Sequence, residues 1–283
     1  MDLEPDEYRA RSRERWGGAA SGWERRRAAM QASAAVVSSW LVDHVDPQPG
    51  QTILELAAGP GDTGLMAAEL VRPAGKLIST DASEEMVEVA RRRAEELGLT
   101  NVEFKVMDGE WIDLRTATVD GVLCRWGYML MLDPEASLRE TRRVLKPGGR
   151  VALAAWAAPE LNPQMTLAPS TLVELGLSEP PPPDEPGPFA FAREGRIEEL
   201  LDVAGFDDIE VEALDLRFHY PTRDDVFETH VDLSPSGSAV LRTLSPADHT
   251  RYRDTLDERL EPFMRPDGGV ELPGRALVAT ASA

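Results

Sequence analysis

Three glycines, at 59, 61 and 64, stand in the stretch Ile53-Leu-Glu-Leu-Ala-Ala-Gly-Pro-Gly-Asp-Thr-Gly64. Short apolar residues run into the turn, and a helix is expected straight after it. The spacing satisfies the G-x-G-x-x-G pattern, in which bare backbone comes close to a nucleotide. A carboxylate, Asp81, follows 20 residues past Gly61, at the end of a second apolar run, Lys76-Leu-Ile-Ser-Thr80. An acid placed there accepts hydrogen bonds from both hydroxyls of a ribose. The alternative is a cap for a helix beginning at Ser83.

Two residues inside the turn argue against a diphosphate. Pro60 deletes one N–H from it. Asp62 puts a carboxylate at the helix mouth, where it suits the helix dipole but repels phosphate. A cationic ligand without phosphates tolerates both. S-adenosylmethionine, a sulfonium with an adenosine and an amino-acid tail, is such a ligand.

Four segments then carry a resemblance. Glu55-Leu-Ala-Ala-Gly-Pro-Gly-Asp-Thr-Gly64 resembles the first motif of class I S-adenosylmethionine-dependent methyltransferases. Thr80-Asp-Ala-Ser-Glu-Glu-Met86 resembles their second-strand acidic motif, and Val106-Met-Asp-Gly-Glu-Trp111 the third-strand aspartate segment. Leu145-Lys-Pro-Gly-Gly-Arg150 resembles the turn before the fifth strand. The match runs from about residue 50 to 157 and is closest in style to the small-molecule group that includes quinone-biosynthesis methyltransferases.

The resemblance implies a cofactor site. Glu55 would lie near the methionine ammonium and organise the loop. Ala57, Gly59, Pro60, Gly61 and Thr63 would wrap the cofactor, and Asp81 would hold its ribose. Ala82 and Met86 would pack on adenine, although Met86 could as well be core, as could Trp111. Asp108 would accept from the adenine amino group, with Gly109 allowing close backbone approach and Glu110 adjoining. Arg125 and Trp126 would face the methionine end and the acceptor, and S-adenosylhomocysteine would be the product.

Methyl transfer from a sulfonium needs a base only where the acceptor must lose a proton. His219, His230 and Tyr128 are the candidates; for the two histidines a surface or structural role is the alternative. His44, at a helix end, reads as structural. Cys124 reads as a buried strand thiol, since no Pro-Cys nucleophile motif is present. The Asn or Asp-Pro-Pro-aromatic motif of base-modifying enzymes is also missing. Trp16 and Trp23 could cover the sulfonium or simply pack the N-terminal region. No His, Cys or acidic group has metal-ligand spacing.

These residues need a scaffold. Alternating strands and helices predict an α/β, doubly wound Rossmann-like fold with a mostly parallel seven-stranded sheet and an antiparallel last strand. Strands are expected over Thr52–Ala57, Lys76–Thr80, Val102–Val106, Gly121–Arg125, Val151–Trp156, Ile209–Tyr220 and Arg275–Ala281. A bulge near Ala213 would explain a phase slip in the sixth. Helices are expected with Met86, Val87, Ala90, Ala94 and Leu97 inward, over Pro134–Val144 and over Gly195–Ala204. Residues 1–49 read as a helical cap, with Gly17-Gly18 breaking any helix and Met30–Val45 amphipathic. The proline-rich segment 159–192, centred on Pro180-Pro-Pro-Pro183, has little helix capacity. The core then comprises 50–218 with 275–283, and 219–274 is a lid insertion with helices near 226–231 and 249–263.

Composition bounds the partners. The 283 residues are 42% hydrophobic and 28% charged, with a net charge of −20. That balance opposes nucleic acid and anionic membrane. Arg25-Arg-Arg27 reads as a solvated helix face. One cysteine, no apolar membrane-length run and an acidic start without a signal core fit a cytoplasmic protein. A monomer and a homodimer both remain open. The expected activity is O- or C-methylation of a small, partly apolar metabolite such as a phenol, quinone precursor or polyketide. A nicotinamide-dependent oxidoreductase shares the glycine pattern but lacks an evident Tyr–Lys pair. A non-catalytic cofactor-binding regulator would keep the same motifs, and a protein substrate is a further alternative.

Overall fold

The computed structural model describes residues 4–180 and 185–283. Its sheet has seven strands: β1 (Thr52–Glu55), β2 (Lys76–Asp81), β3 (Val102–Val106), β4 (Val119–Arg125), β5 (Leu145–Trp156), β6 (Asp207–Tyr220) and β7 (Val270–Ser282). Their spatial order is β3-β2-β1-β4-β5-β7-β6. The first five pair in parallel, and β7 runs antiparallel to both β5 and β6. The order reverses between β1 and β4, so the crevice of a doubly wound sheet opens beyond their C-terminal ends. Central strands are covered on both faces, which is why Ile53 and Leu54 of β1 and Val151–Trp156 of β5 are all buried.

Helix α1 is continuous from Pro5 to Val45, 41 residues, so Gly17-Gly18 do not break it. Tertiary contacts override the glycine penalty on both sides of the pair. Upstream, Arg9 is bonded to Glu110. Downstream, Ala20 is buried with Met86 and Val89, beside Trp16 and Trp23. The C-terminal part of α1 is amphipathic as expected, and Ala34, Val37, Leu41, Val42 and Val45 enter the main core with the sheet.

Helices α2 (Asp62–Leu70), α3 (Glu84–Glu96) and α4 (Pro134–Val144) follow the expected pattern. Leu97 is a correction: it caps α3 and is 41% exposed rather than inward. The chain turns away there at Gly98, whose φ is 66°. Pro163–Glu174 forms helix α5 inside the segment expected to lack helix. Pro163 occupies its first turn, where no N–H is missed. Pro169 is carried in the interior, and α5 packs on β7. Asn162 anchors its start, donating to the carbonyls of Ala157, Ala158 and Arg275. Of the proline run, residues 181–183 lie outside the described residues.

Helix α6 (Arg196–Val203) leads into β6. The expected bulge near Ala213 is not there; the register shift lies between Asp207 and Glu210, and pairing with β7 is unbroken from Glu210 to Tyr220. The phase slip has another cause. Trp40 of α1 donates to Glu212, so the even-numbered face of β6, with Leu216 and Phe218 buried, turns toward α1. Ile209 and Val211 point to the opposite face, and β6 packs on α6 as well. Between β6 and β7 come α7 (Arg223–Leu233), α8 (Pro235–Leu241) and α9 (Pro246–Leu260). β7 starts at Val270, so residues 270–274, expected in the insertion, belong to the sheet. Among the described residues no helix is long and apolar enough to cross a membrane.

Candidate cofactor and acceptor site

The turn after β1 is built by backbone that a glycine permits. Gly59 and Gly61 have φ of 52° and 81°, and Ala57, without that freedom, still sits at 49°. Gly61 N–H donates to Ala58 O (2.9 Å), and Ala58 N–H to Thr80 O (2.9 Å). Glu55 lies beneath, 3% exposed, with Oε1 accepting from Gly64 N–H (2.7 Å) and Oε2 from Ser79 Oγ (3.2 Å). A Cβ at position 64 would overlap that carboxylate, so glycine is required for close approach. Burial pushes the Glu55 carboxyl up to about 7, against the opposing pull of the Gly64 N–H and Arg125.

Asp81 ties this turn to the next. Its Oδ2 accepts from Gly59 N–H (2.9 Å) and its Oδ1 from Ser83 N–H (2.9 Å). Each oxygen keeps further acceptor capacity, which two ribose hydroxyls can use. Burial raises this carboxyl above its ordinary value. The cap of α3 is Ser83, whose Oγ accepts from Met86 N–H, so Asp81 is not needed for that task. Ala82 is half-buried beside it, whereas Met86 is 3% exposed and packed against α1. Thr63 is buried, its Oγ1 2.9 Å from Ser38 Oγ. Pro60 lies at the tip of the turn, and Asp62 is engaged by Arg27 (3.1 Å) and lies 3.9 Å from Arg125.

The end of β3 presents a second acidic corner. Asp108 Oδ1 accepts from Glu110 N–H (3.0 Å). Gly109 is close-packed: its Cβ would stand 2.5 Å from Met131 Cε. Glu110 is 4% exposed, accepting from Leu132 N–H (2.8 Å) and from Arg9 (2.5 Å). Trp111 is not core; it is 58% exposed, with the Arg9 guanidinium 4.4 Å above its ring.

At the end of β4, Arg125 donates to Ser38 Oγ (3.0 Å) and stacks 4.9 Å over Trp126. Trp126 sits at φ 61° and lies against Trp156 at 4.3 Å, with Phe218 a further 6.2 Å from Trp156. Its indole N–H is buried without a partner. Cys124 is a fully buried thiol, as expected.

The base candidates fare differently. Tyr128 is corrected: it is 1% exposed and its hydroxyl pairs with Thr141 Oγ1 of α4 (2.7 Å), so the phenol points into the core. Burial holds it protonated, well above the ordinary tyrosine range. His219 lies on edge strand β6 with its side chain 55% exposed, beside Glu271 (3.3 Å) and Arg265 (3.3 Å), and no bond joins it to the strand-end residues. His230 is half-buried on α7 with its Nε2 atom buried and unpartnered, and desolvation pushes it down to about 4. It is a neutral imidazole at physiological pH. His44 stacks on Trp40 at 3.6 Å and bonds its carbonyl, a structural role. Trp16 and Trp23 pack around Met86.

Sequence reasoning missed the α1 side chains Arg9, Arg13, Arg27 and Ser38, which reach Glu110, Asp108, Asp62 and Arg125 respectively. Their 3.6-residue spacing was the available signal: 9, 13, 16, 20, 23, 27, 31, 34 and 38 share one helical stripe. A cavity of about 390 Å³ between α1 and α7, lined by Arg25, Arg26, Phe227 and Asp232 among others, involves none of the strand ends. Among the described residues no group of His, Cys, Asp or Glu could hold a metal ion.

Residues 47–175 match the family model of a methyltransferase domain. The chain is 38% identical over 122 residues to the 37.1 kDa protein of transposon TN4556 from Streptomyces fradiae, covering 43% of this chain and 34% of that one. It is 42% identical over 107 residues to the ubiquinone/menaquinone biosynthesis C-methyltransferase of Acidiphilium cryptum, covering 38% and 42%. The matches thus span less than half the length of these curated relatives. In fold the chain is similar to the YcgJ protein from Bacillus subtilis, with a TM-score of 0.58 at 20% identity, over 87% of this chain and 97% of that one. Residues 47–175, which carry the glycine turn, Asp81, the β3 acids and Arg125, are therefore a methyltransferase domain of the class I S-adenosylmethionine-dependent type and resemble the quinone-biosynthesis methyltransferases.

Proposed function

We propose that the chain is an S-adenosylmethionine-dependent methyltransferase acting on a small, partly apolar metabolite, at oxygen or at an activated carbon. The observation that carries the cofactor reading is the turn at the β1–β4 reversal, with Pro60 and Asp62 inside it and Asp81 bonded to Gly59. An anion and an imide nitrogen suit a phosphate-free cation better than a dinucleotide. Glu55, Gly59, Gly61, Asp81 and Asp108 would hold the cofactor, which supplies an already activated methyl group when bound.

The residues of the chain then have three tasks. They align the acceptor for in-line attack, exclude water and receive a proton where one is released. Trp126 and Trp156, stacked at 4.3 Å beyond β4, form an apolar wall suited to a flat acceptor. The unpartnered Trp126 N–H offers that acceptor one hydrogen bond. Helices α7–α9, in the insertion between β6 and β7, serve as a lid in this reading, with α1 as the facing cap. His230, on α7, is the remaining base candidate; burial holds it down to about 4, so its Nε2 is a weak proton acceptor. The C-methyltransferase relative, named for ubiquinone and menaquinone biosynthesis, supports a ring acceptor by analogy.

The test compares thermal shifts with S-adenosylhomocysteine and with NADH, followed by transfer of labelled methyl to a panel of phenols and hydroquinones. A ligand that binds the native state raises the melting temperature. Stabilisation by S-adenosylhomocysteine and labelled product is the expected result. Stabilisation by NADH alone refutes the cofactor reading; binding with no transfer across the panel favours the non-catalytic regulator.

A further inference from the structure

We propose that residues 5–16 of α1 form an internal strap over the adenine end of the crevice, latched by Arg9 and hinged at Gly17–Gly18. The inference rests on the reading of the crevice as an S-adenosylmethionine site. Arg9 donates to Glu110 Oε2 through Nε (3.1 Å) and Nη2 (2.5 Å), and its guanidinium lies 4.4 Å over Trp111. One turn later, Arg13 Nη1 stands 4.0 Å from Asp108 Oδ2. The two arginines thus engage both carboxylates after β3. A guanidinium is a flat group with N–H donors on its edge and a face that stacks on an aromatic ring. An adenine with its amino group makes the same two demands, so strap and cofactor compete for one corner.

Apart from Trp16, which packs against Met86 and Val89 of α3 beside the joint, the strap is held by polar contacts and can let go. Between Pro5 and Trp16 no residue is fully buried; the first buried residues of α1 are Ala19 and Ala20. Its remaining ion pairs, Arg9 with Asp6 and Arg11 with Glu7, lie within the helix and travel with it. Glu110 keeps the Leu132 N–H when Arg9 leaves, so its buried charge is not stranded.

The glycines mark the pivot. A Cβ added at Gly18 would have no heavy atom within 4 Å, so packing does not demand glycine there. At Gly17 its nearest neighbour would be the Glu85 carboxylate, at 2.5 Å, the far end of a flexible side chain. Gly22 differs: a Cβ there would overlap the Asp232 carbonyl oxygen of α7, so close helix packing explains it. The unexplained pair falls between the last latch residue, Arg13, and the first buried one, Ala19. Glycine is a far poorer helix former than alanine, which weakens the helix at that joint.

The test uses the full chain, S-adenosylhomocysteine titration calorimetry and amide hydrogen exchange. Arg9→Met removes the latch, and its dissociation constant should fall about tenfold, because a larger fraction of the protein is open. Gly18→Ala stiffens the joint and should raise the constant about fivefold while raising the melting temperature. In the unaltered protein, saturating ligand should speed exchange in residues 5–16. Affinities within twofold of the unaltered protein in both variants, or ligand-induced protection of residues 5–16, overturn the strap and leave the cofactor site standing. No binding to any of the three proteins, Arg9→Met included, overturns the cofactor reading and the strap with it.

Discussion

Replacing Glu55 by glutamine isolates the energetics of one buried carboxyl. The amide is nearly isosteric: its oxygen can accept from Gly64 N–H and its nitrogen can donate to Ser79 Oγ, the two partners of Glu55. Only the titration is lost. In the folded chain burial raises the Glu55 carboxyl from 4.5 to about 7. Between those two values the native state holds a proton that the unfolded chain has released. Its contribution is therefore complete below about pH 4.5 and is lost as pH rises through about 7. Each tenfold difference in proton affinity is worth about 1.36 kcal/mol, so the span amounts to roughly 3 kcal/mol. Urea unfolding of both proteins, at closely spaced pH values from about 4.5 to 8, measures it. His230, pushed down to about 4, acts with the opposite sign, losing stability as pH falls below its ordinary 6.5. That contribution is common to both proteins and cancels in the difference. The stability of the parent minus that of Glu55→Gln should fall by roughly 3 kcal/mol across the window. A difference that stays flat, or rises with pH, would falsify the assignment of Glu55 as a protonated, desolvated group.

Three further outcomes are expected. Asp81→Ala should weaken S-adenosylhomocysteine binding by about 1–3 kcal/mol, through lost ribose bonds and a freed Gly59 N–H; unchanged affinity in calorimetry removes Asp81 from the site. Tyr128→Phe should cost about 1 kcal/mol of stability, from the Thr141 bond, and leave kcat intact; a collapse of kcat at unchanged melting temperature would restore the phenol to the chemistry. Gly22→Ala should destabilise by about 1–3 kcal/mol through overpacking against Asp232 of α7, read as a lower urea midpoint; an unchanged midpoint means the helices can separate freely.

The glycine turn, Asp81 and the strands β1 to β5 were legible because each signal is local. A turn that needs positive φ, an acid closing an apolar run and a period of alternation all sit within a few residues of one another. The same holds for α3, whose Ser83 cap and inward Met86, Val87, Ala90 and Ala94 follow from one short segment. Leu97 lies at the helix terminus, where one further residue swings the side chain off the buried face that the α3 pattern predicts. Helix α5 was hidden because proline content argues against helix, yet Pro163 occupies a position that tolerates it and Asn162 supplies the anchor. Burial of Tyr128 was invisible, since its partner Thr141 lies on a helix whose packing no local pattern states.

What the sequence by itself determined is the crevice: where the chain must turn, which backbone is left bare and which acid closes the second strand. Only the tertiary structure decided what covers it. Gly17-Gly18 reads as a break until Arg9 meets Glu110, 101 residues away, and Ala20 meets Met86. Local propensity is worth about 1 kcal/mol per residue, and a set of ion pairs and buried side chains arriving from distant segments outweighs it.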